Sequence, residues 1–281
     1  MEKRSILITG CSSGIGYCAA QRLQKAGYQV IASARKQSDV ETLCKQGFDC
    51  IHLDLDDSIS IEKGVNETLS RTDGKLYGLF NNAGYGQPGA VEDLRRDVLR
   101  KQFETNVFGS IELTNRVIPV MRQQGYGRII QNSSVLGFVS LAYRGAYNAS
   151  KYALEGLYDT LRLELANTDI HPILIEPGPI TSKFRENAFA AYQLNIDSKN
   201  SAHAKQYLQT EQRLEKQGAV VPFTLPADAV VDKVIQALEQ ARPRPRYYVT
   251  KPTWIFGILK RILSTRAMDS VLLRISNKEQ Q

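Results

Sequence analysis

The chain has 281 residues, 42% of them hydrophobic and 23% charged, and 36 lysines and arginines against 29 acids leave a net charge of +7. This composition excludes a disordered or fibrous chain, and the length is enough to bury a full core without covalent staples. The four cysteines (Cys11, Cys18, Cys44 and Cys50) form no C-x-x-C pair and have no histidine cluster nearby, so free thiols in a reducing compartment are expected and a metal site is not. The apolar run Ile6 to Ile8 is too short for a secretory core, and no stretch has the length of a spanning helix. A cytoplasmic location is therefore expected.

Over residues 1–180 short apolar runs alternate with helix-like segments. The pattern predicts strands at Ser5–Thr9, Gln29–Ala34, Asp49–Leu53, Tyr77–Asn81, Arg128–Ser133 and His171–Glu176. It predicts helices at Gly14–Ala26, Val40–Gln46 and Ile59–Arg71, a long one from Arg96 to Gln123, and another at Tyr147–Leu165. Such alternation implies βαβ units and an α/β fold, a Rossmann-type doubly wound parallel sheet in a three-layer αβα domain. Several strands are continuously apolar, as helices on both faces require.

After Pro177-Gly178-Pro179 the pattern changes, and residues 182–222 are polar and helix-prone. They are expected to form a lid over the site, in which Phe184, Phe189, Tyr192 and Tyr207 either line an apolar pocket or pack internally. Ala227–Gln240 reads as an amphipathic helix with Val230, Val231, Val234, Ile235 and Leu238 on one face, and Arg246–Thr250 as a last strand. The segment 253–273 carries Trp254, Ile255, Ile258, Leu259, Ile262 and Leu263 at helical spacing, with Lys260 and Arg261 among them. It fits packing on its own domain, a subunit contact, or an interfacial helix that holds the protein peripherally on the inner face of a membrane. The late cations, Arg242, Arg244, Arg246, Lys251, Lys260, Arg261 and Arg266, form either a solvated surface or a contact with anionic lipid. With no nucleic-acid motif beside them, nucleic acid is not expected as a partner. The organisation expected is one domain over 1–250 and a basic amphipathic extension over 251–281.

Gly10, Cys11, Ser12, Ser13, Gly14, Ile15 and Gly16 lie between the first strand and the first helix. Glycines let the backbone turn tightly there, and the helix N-terminus offers free N–H groups to a pyrophosphate. The second strand ends Ala32-Ser33-Ala34-Arg35-Lys36, where an NAD-binding unit carries an acid for the ribose hydroxyl. Without that carboxylate, and with Arg35 able to clamp a 2′-phosphate, the cofactor expected is NADP(H).

Tyr147 and Lys151 stand at i and i+4 and share a helix face. A phenol with a pKa near 10 is a poor base at neutral pH, but a nearby ammonium and the positive nicotinamide ring of an oxidised cofactor favour its phenolate and are expected to lower the pKa of Tyr147 into working range. Ser134, just past the fifth strand, is placed to hydrogen-bond a substrate oxygen as charge develops, with Ser133 as the competing candidate.

In this order T-G-x-x-x-G-I-G, N-N-A-G at Asn81–Gly84, N-S-S at Asn132–Ser134, Y-x-A-S-K at Tyr147–Lys151 and P-G at Pro177–Gly178 resemble the short-chain dehydrogenases/reductases across residues 5–182. The resemblance implies a seven-stranded Rossmann-type domain and a Ser134–Tyr147–Lys151 site assisted by Asn106, which would hold a water connecting the lysine to a proton relay. It also implies cofactor contacts from Asp54 to adenine, from the segment Asn81, Ala83 and Gly84 to the adenine ribose, and from Ile180 and Thr181 to the nicotinamide carboxamide.

A narrower resemblance, through F-N-N-A-G-Y-G, R-G-A-Y, E-P-G-P-I and R-P-R-P-R-Y-Y-V, is to 17β-hydroxysteroid and retinol dehydrogenases and their bacterial aldehyde reductase relatives. It implies a bulky apolar carbonyl or alcohol as substrate, and a homodimer or homotetramer is expected. The competing functions are a 3-oxoacyl-thioester reductase, a non-catalytic NADP(H)-sensing regulator, against which the intact catalytic residues argue, and a membrane-associated lipid carrier resting on the tail alone.

Overall fold

The computed structural model describes residues 3–215 and 222–279. The strands are β1 Ser5–Ile8, β2 Gln29–Ala34, β3 Asp49–His52, β4 Gly78–Asn81, β5 Tyr126–Asn132, β6 Asp169–Glu176 and β7 Arg246–Tyr248. They form one seven-stranded sheet in the order β3-β2-β1-β4-β5-β6-β7, every pair parallel. The order reverses between β1 and β4, which opens a crevice beyond the carboxyl ends of the strands. In chain order the helices are α1 Gly14–Lys25, α2 Gln37–Lys45, α3 Ser58–Arg71, α4 Arg96–Phe103, α5 Gly109–Gln124 and α6 Gly145–Glu164, then α7 Phe184–Asn195, α8 Ala204–Glu215, α9 Asp228–Glu239, α10 Lys251–Ile262 and α11 Thr265–Glu279.

Two apolar layers hold this single domain together. On one face Ala20 and Leu23 of α1, Leu43 of α2 and Val231, Val234 and Leu238 of α9 pack on Ile6, Ile8 and Ile173 of the sheet. On the other, Ile61 of α3, Leu113 and Val117 of α5 and Leu154 and Tyr158 of α6 pack on Leu7, Ile31, Leu79 and Ile129. Alternate residues of β1 thus point to opposite layers, so a run such as Ile6-Leu7-Ile8 is apolar throughout because both faces are covered.

The expected long helix from Arg96 to Gln123 is interrupted. Residues Glu104–Phe108 widen into a π-turn between α4 and α5. Two contacts draw this turn onto the loop after β3: the Thr105 hydroxyl donates to Asp56 Oδ1 at 2.6 Å, and Gly109 comes so close that a Cβ there would stand 1.9 Å from the Leu55 carbonyl oxygen. Side-chain periodicity does not reveal one extra residue in a turn.

In the lid, α7 and α8 pack on residues 90–98 through Tyr192, Tyr207 and Leu214. Tyr192 and Tyr207 are therefore interior packing residues, 2% and 0% exposed, and do not line a pocket. Residues 216–221 of the expected lid lie outside the described residues. The tail is two helices, which break at Leu263 and Ser264.

At the β6–β7 edge Arg246 reaches Glu176 of β6 and Glu155 and Asp159 of α6. Glu176 is fully buried and its Oε2 has no hydrogen-bond partner among the described residues. Burial first, and then the neighbouring Glu155, push its carboxyl well above the usual value near 4.5, against the pull of Arg246. A carboxyl with a raised folded pKa contributes stability that is full below that usual value and is lost as pH rises through the folded one. Between about pH 5 and pH 9 the wild-type melting temperature is expected to fall about 3–8 °C more than that of Glu176→Gln. Equal slopes, measured by calorimetry across that range, would show that Glu176 does not titrate there.

Candidate active site

The turn after β1 is built for close approach. Gly10 and Gly14 are left-handed, at φ 71° and 59°. A Cβ on Gly16 would lie 2.3 Å from the Gly10 carbonyl oxygen and 2.6 Å from Asn82 Nδ2, so only glycine closes this turn. Ser13 caps α1 without a side-chain hydrogen bond. The donors of the first turn, with Ser12 exposed and Ile15 half-buried beside them, face the crevice at the positive end of the helix dipole. This cradle fits a pyrophosphate by shape and by charge. Arg35 stands exposed at the end of β2. The half-buried Asp54 accepts a hydrogen bond on Oδ1 from the Asp56 amide at 3.1 Å, so its carboxylate also serves its own turn.

The segment 81–84 divides its work. Asn81 turns into the core, donating to the Thr114 hydroxyl at 2.8 Å and to the Tyr158 hydroxyl at 2.9 Å, so Ala83 and Gly84, rather than the Asn81 side chain, rim the crevice. Asn82 reaches back, Nδ2 donating to the Thr9 carbonyl at 2.9 Å, and its Oδ1 accepts from Asn132 Nδ2 at 3.0 Å. Pro177 is buried, and its carbonyl accepts from the Val135 amide at 2.8 Å. A Cβ on Gly178 would lie 2.1 Å from Thr250 Oγ1. The Thr181 amide is already committed to the Leu225 carbonyl at 2.9 Å, while its side chain is exposed, and Ile180 pairs with Leu225 as an isolated bridge.

The three chemistry-bearing side chains meet across β5 and α6. Ser134 caps the 3₁₀ turn Val135–Gly137, its Oγ accepting from the Leu136 amide at 3.1 Å, and it stands near enough to Tyr147 to favour the phenolate. Ser133 faces away, donating to Glu155, which separates the two candidate serines. Lys151 Nζ donates to the Asn132 carbonyl at 2.7 Å and lies 5.6 Å from the centre of the Tyr147 ring. Asn106, held in the π-turn, accepts from the Tyr85 amide at 3.1 Å and donates to the Tyr85 carbonyl at 2.9 Å and to Ser150 Oγ at 3.1 Å.

The protein's own groups do not lower the Tyr147 pKa; the expected lowering also draws on a bound nicotinamide ring. Burial pushes the phenol up to about 12, and the Ser134 hydroxyl and the Arg144 charge only partly oppose it. Burial also pushes Lys151 down to about 8, with Glu155 working in the opposite sense. The protein alone thus keeps the phenol protonated at neutral pH and makes its ammonium neighbour easier to discharge.

Sequence reasoning missed several neighbours. Phe184 of α7 meets Tyr147 edge to face, with ring centroids 5.3 Å apart. Close packing at Gly86, where a Cβ would lie 2.8 Å from the Phe184 ring, permits this. Glu155 lies one helical turn beyond Lys151, a spacing visible in the sequence, but its partner Arg246 is 91 residues away. Phe256 and Leu259 from α10, Leu263 from the break after it and Met268 from α11 join Leu136, Val139 and Tyr147 in one apolar wall, and no local signal links the tail to the site.

Known proteins resemble this chain in sequence and in fold. The family model for short chain dehydrogenases matches residues 4–193. An uncharacterized oxidoreductase of Escherichia coli, YbbO, is 42% identical over 96% of this chain and 94% of its own. An NADPH-dependent 3-dehydrocapnine reductase of Ornithobacterium rhinotracheale is 30% identical over 96% of each chain. The crystal structure of a short-chain dehydrogenase from Streptomyces avermitilis superposes with a TM-score of 0.78 at 28% identity, covering 99% of this chain and 98% of that one. With a glycine cradle at β1 and a serine, a tyrosine and a lysine converging at β5 and α6, the chain is an oxidoreductase that belongs to the short-chain dehydrogenase/reductase family.

Proposed function

We propose that the protein is an NADP(H)-dependent reductase of bulky apolar aldehydes or ketones, running in reverse as an alcohol dehydrogenase. The observation that carries this reading is the convergence of Ser134, Tyr147, Lys151 and Asn106 at the strand ends that also present the glycine cradle. A second support is the apolar wall of Leu136, Val139 and Met268, with Phe184 against the Tyr147 ring. The NADPH named in the 3-dehydrocapnine reductase agrees with the exposed Arg35.

In this proposal residues 14–16 hold the pyrophosphate and Arg35 grips the 2′-phosphate. Asp54, Ala83 and Gly84 border the adenosine, and Pro177, Gly178, Ile180 and Thr181 border the nicotinamide. When bound, the cofactor supplies the hydride. The carbonyl oxygen docks between the hydroxyls of Ser134 and Tyr147. A phenol held protonated is the state that reduction needs, because Tyr147 gives its proton to the oxygen as the hydride arrives. The Lys151 ammonium then stabilises the phenolate, and Asn106 holds the route by which solvent returns the proton. The catalytic unit spans residues 1–250, the extension 251–281 completes its wall, and the assembly is a cytoplasmic homodimer or homotetramer, for which Leu157 and Leu163 stand exposed on α6.

Tyr147→Phe is expected to lower turnover about 10²–10⁴-fold while NADPH still binds, as fluorescence titration reads. A variant keeping more than about a tenth of the rate removes Tyr147 as the proton donor. Arg35→Ala should raise KM for NADPH and leave KM for NADH nearly unchanged in steady-state assays. With Lys151 pushed down to about 8 by burial, kcat/KM for reduction should fall above about pH 8, approaching tenfold per unit. A profile flat to about pH 10 would contradict a role for the ammonium.

A further inference from the structure

The helix α10 has two faces with different fates. Phe256 and Leu259 turn inward to the wall shared with Tyr147. Trp254, Ile255, Ile258 and Ile262 fall within one outer quadrant and are 51%, 51%, 53% and 72% exposed. An apolar strip of this kind on a soluble domain needs a partner. At the end of the strip Trp254 borders a half-open cavity of about 220 Å³, which Lys233, Arg244, Arg261 and Tyr248 also line. None of these three cations makes an ion pair with a carboxylate among the described residues. Tyr248 braces the cavity, meeting the Trp254 ring edge to face at 5.0 Å, and the start of α10 is pinned by the hydrogen bond between Thr250 and Thr253 at 3.0 Å. No helix among the described residues is long and apolar enough to cross a membrane.

We infer that α10 and this cavity form an interfacial anchor for an anionic phospholipid bilayer: the strip enters the acyl boundary and the cavity takes a lipid phosphate. Charge complementarity selects this occupant. A second copy of the chain would set Lys233, Arg244 and Arg261 against the same cations unless it brought acids, whereas an anionic headgroup layer supplies phosphate beside hydrocarbon, the combination presented here. Anchored in this way, the wall of Leu136, Val139 and Met268 lies one helix thickness from the lipid. Carbonyl substrates would then come from those that partition into the bilayer, an extension that rests on the reductase reading.

The test is flotation of the full-length protein with vesicles of equal parts phosphatidylglycerol and phosphatidylcholine at low ionic strength, against pure phosphatidylcholine. The protein should float with the anionic vesicles only. Lys233→Gln/Arg244→Gln/Arg261→Gln should lower partitioning about 100-fold, and Trp254→Ser/Ile258→Ser at least about tenfold. Inorganic phosphate at constant ionic strength should release little protein. Three results would each overturn the anchor: no flotation at low salt, flotation unchanged in both variants, or a dimer in sedimentation that Trp254→Ser/Ile258→Ser dissolves. Release by inorganic phosphate would likewise reassign the cavity to a free phosphate. Both variants should oxidise NADPH with a small water-soluble aldehyde at the wild-type rate without vesicles. Flotation without any NADPH oxidation would leave the anchor standing and remove the reductase reading instead.

Discussion

The hydrogen bond from Lys151 Nζ to the Asn132 carbonyl, 2.7 Å long, is the contact on which the site depends. Asn132 lies at the end of β5, and its side chain binds Asn82, which binds the Thr9 carbonyl at the end of β1. One chain of hydrogen bonds thus runs from the lysine of α6 across three adjacent strand ends to the glycine cradle. It ties the part of α6 that carries Tyr147 and Lys151 to the strand ends and to the glycine turn. The parallel sheet makes this possible, since β1, β4 and β5 are neighbours that all end on the same side.

Charge at the site follows from burial more than from pairing. Desolvation raises the phenol and lowers the ammonium, and neighbours reverse neither shift. Under the proposed function this is coherent. A proton donor should hold its proton until the substrate oxygen gains charge, and a buried ammonium is most effective at the moment a phenolate forms beside it. Glu155 links this balance to the β6–β7 edge, because it faces Lys151 on one side and shares Arg246 with the fully buried Glu176 on the other. The tail enters the same arrangement through β7 and through the wall that α10 and α11 complete.

Much of this was legible in the sequence for reasons of locality. The cradle, the strand-end serine and the Tyr147–Lys151 pair are each written within a few residues, and strand-to-helix alternation gives their common side of the sheet. What escaped was long-range or backbone-borne. The π-turn that presents Asn106 follows from the approach of Gly109 to Leu55, which helical periodicity does not record. Asn81 and Asn82 look equivalent in N-N-A-G, yet one fills the core and the other ties the strands together. Tyr192 and Tyr207 have the composition of a pocket, and only the packing of α7 and α8 reveals them as core. Glu176 opens E-P-G-P-I, but that stretch does not reveal its role, because its partners Glu155 and Arg246 lie far away in the chain.

The central claim is that this arrangement passes a hydride from NADPH to a carbonyl carbon while Tyr147 supplies the proton. The most direct measurement is a single turnover with NADPH deuterated at the transferring position and an apolar aldehyde, the alcohol being analysed by mass spectrometry. The account predicts one deuterium on the former carbonyl carbon in each alcohol formed. Tight NADPH binding with no deuterated alcohol, across long-chain aldehydes, retinal and steroid ketones, would contradict it.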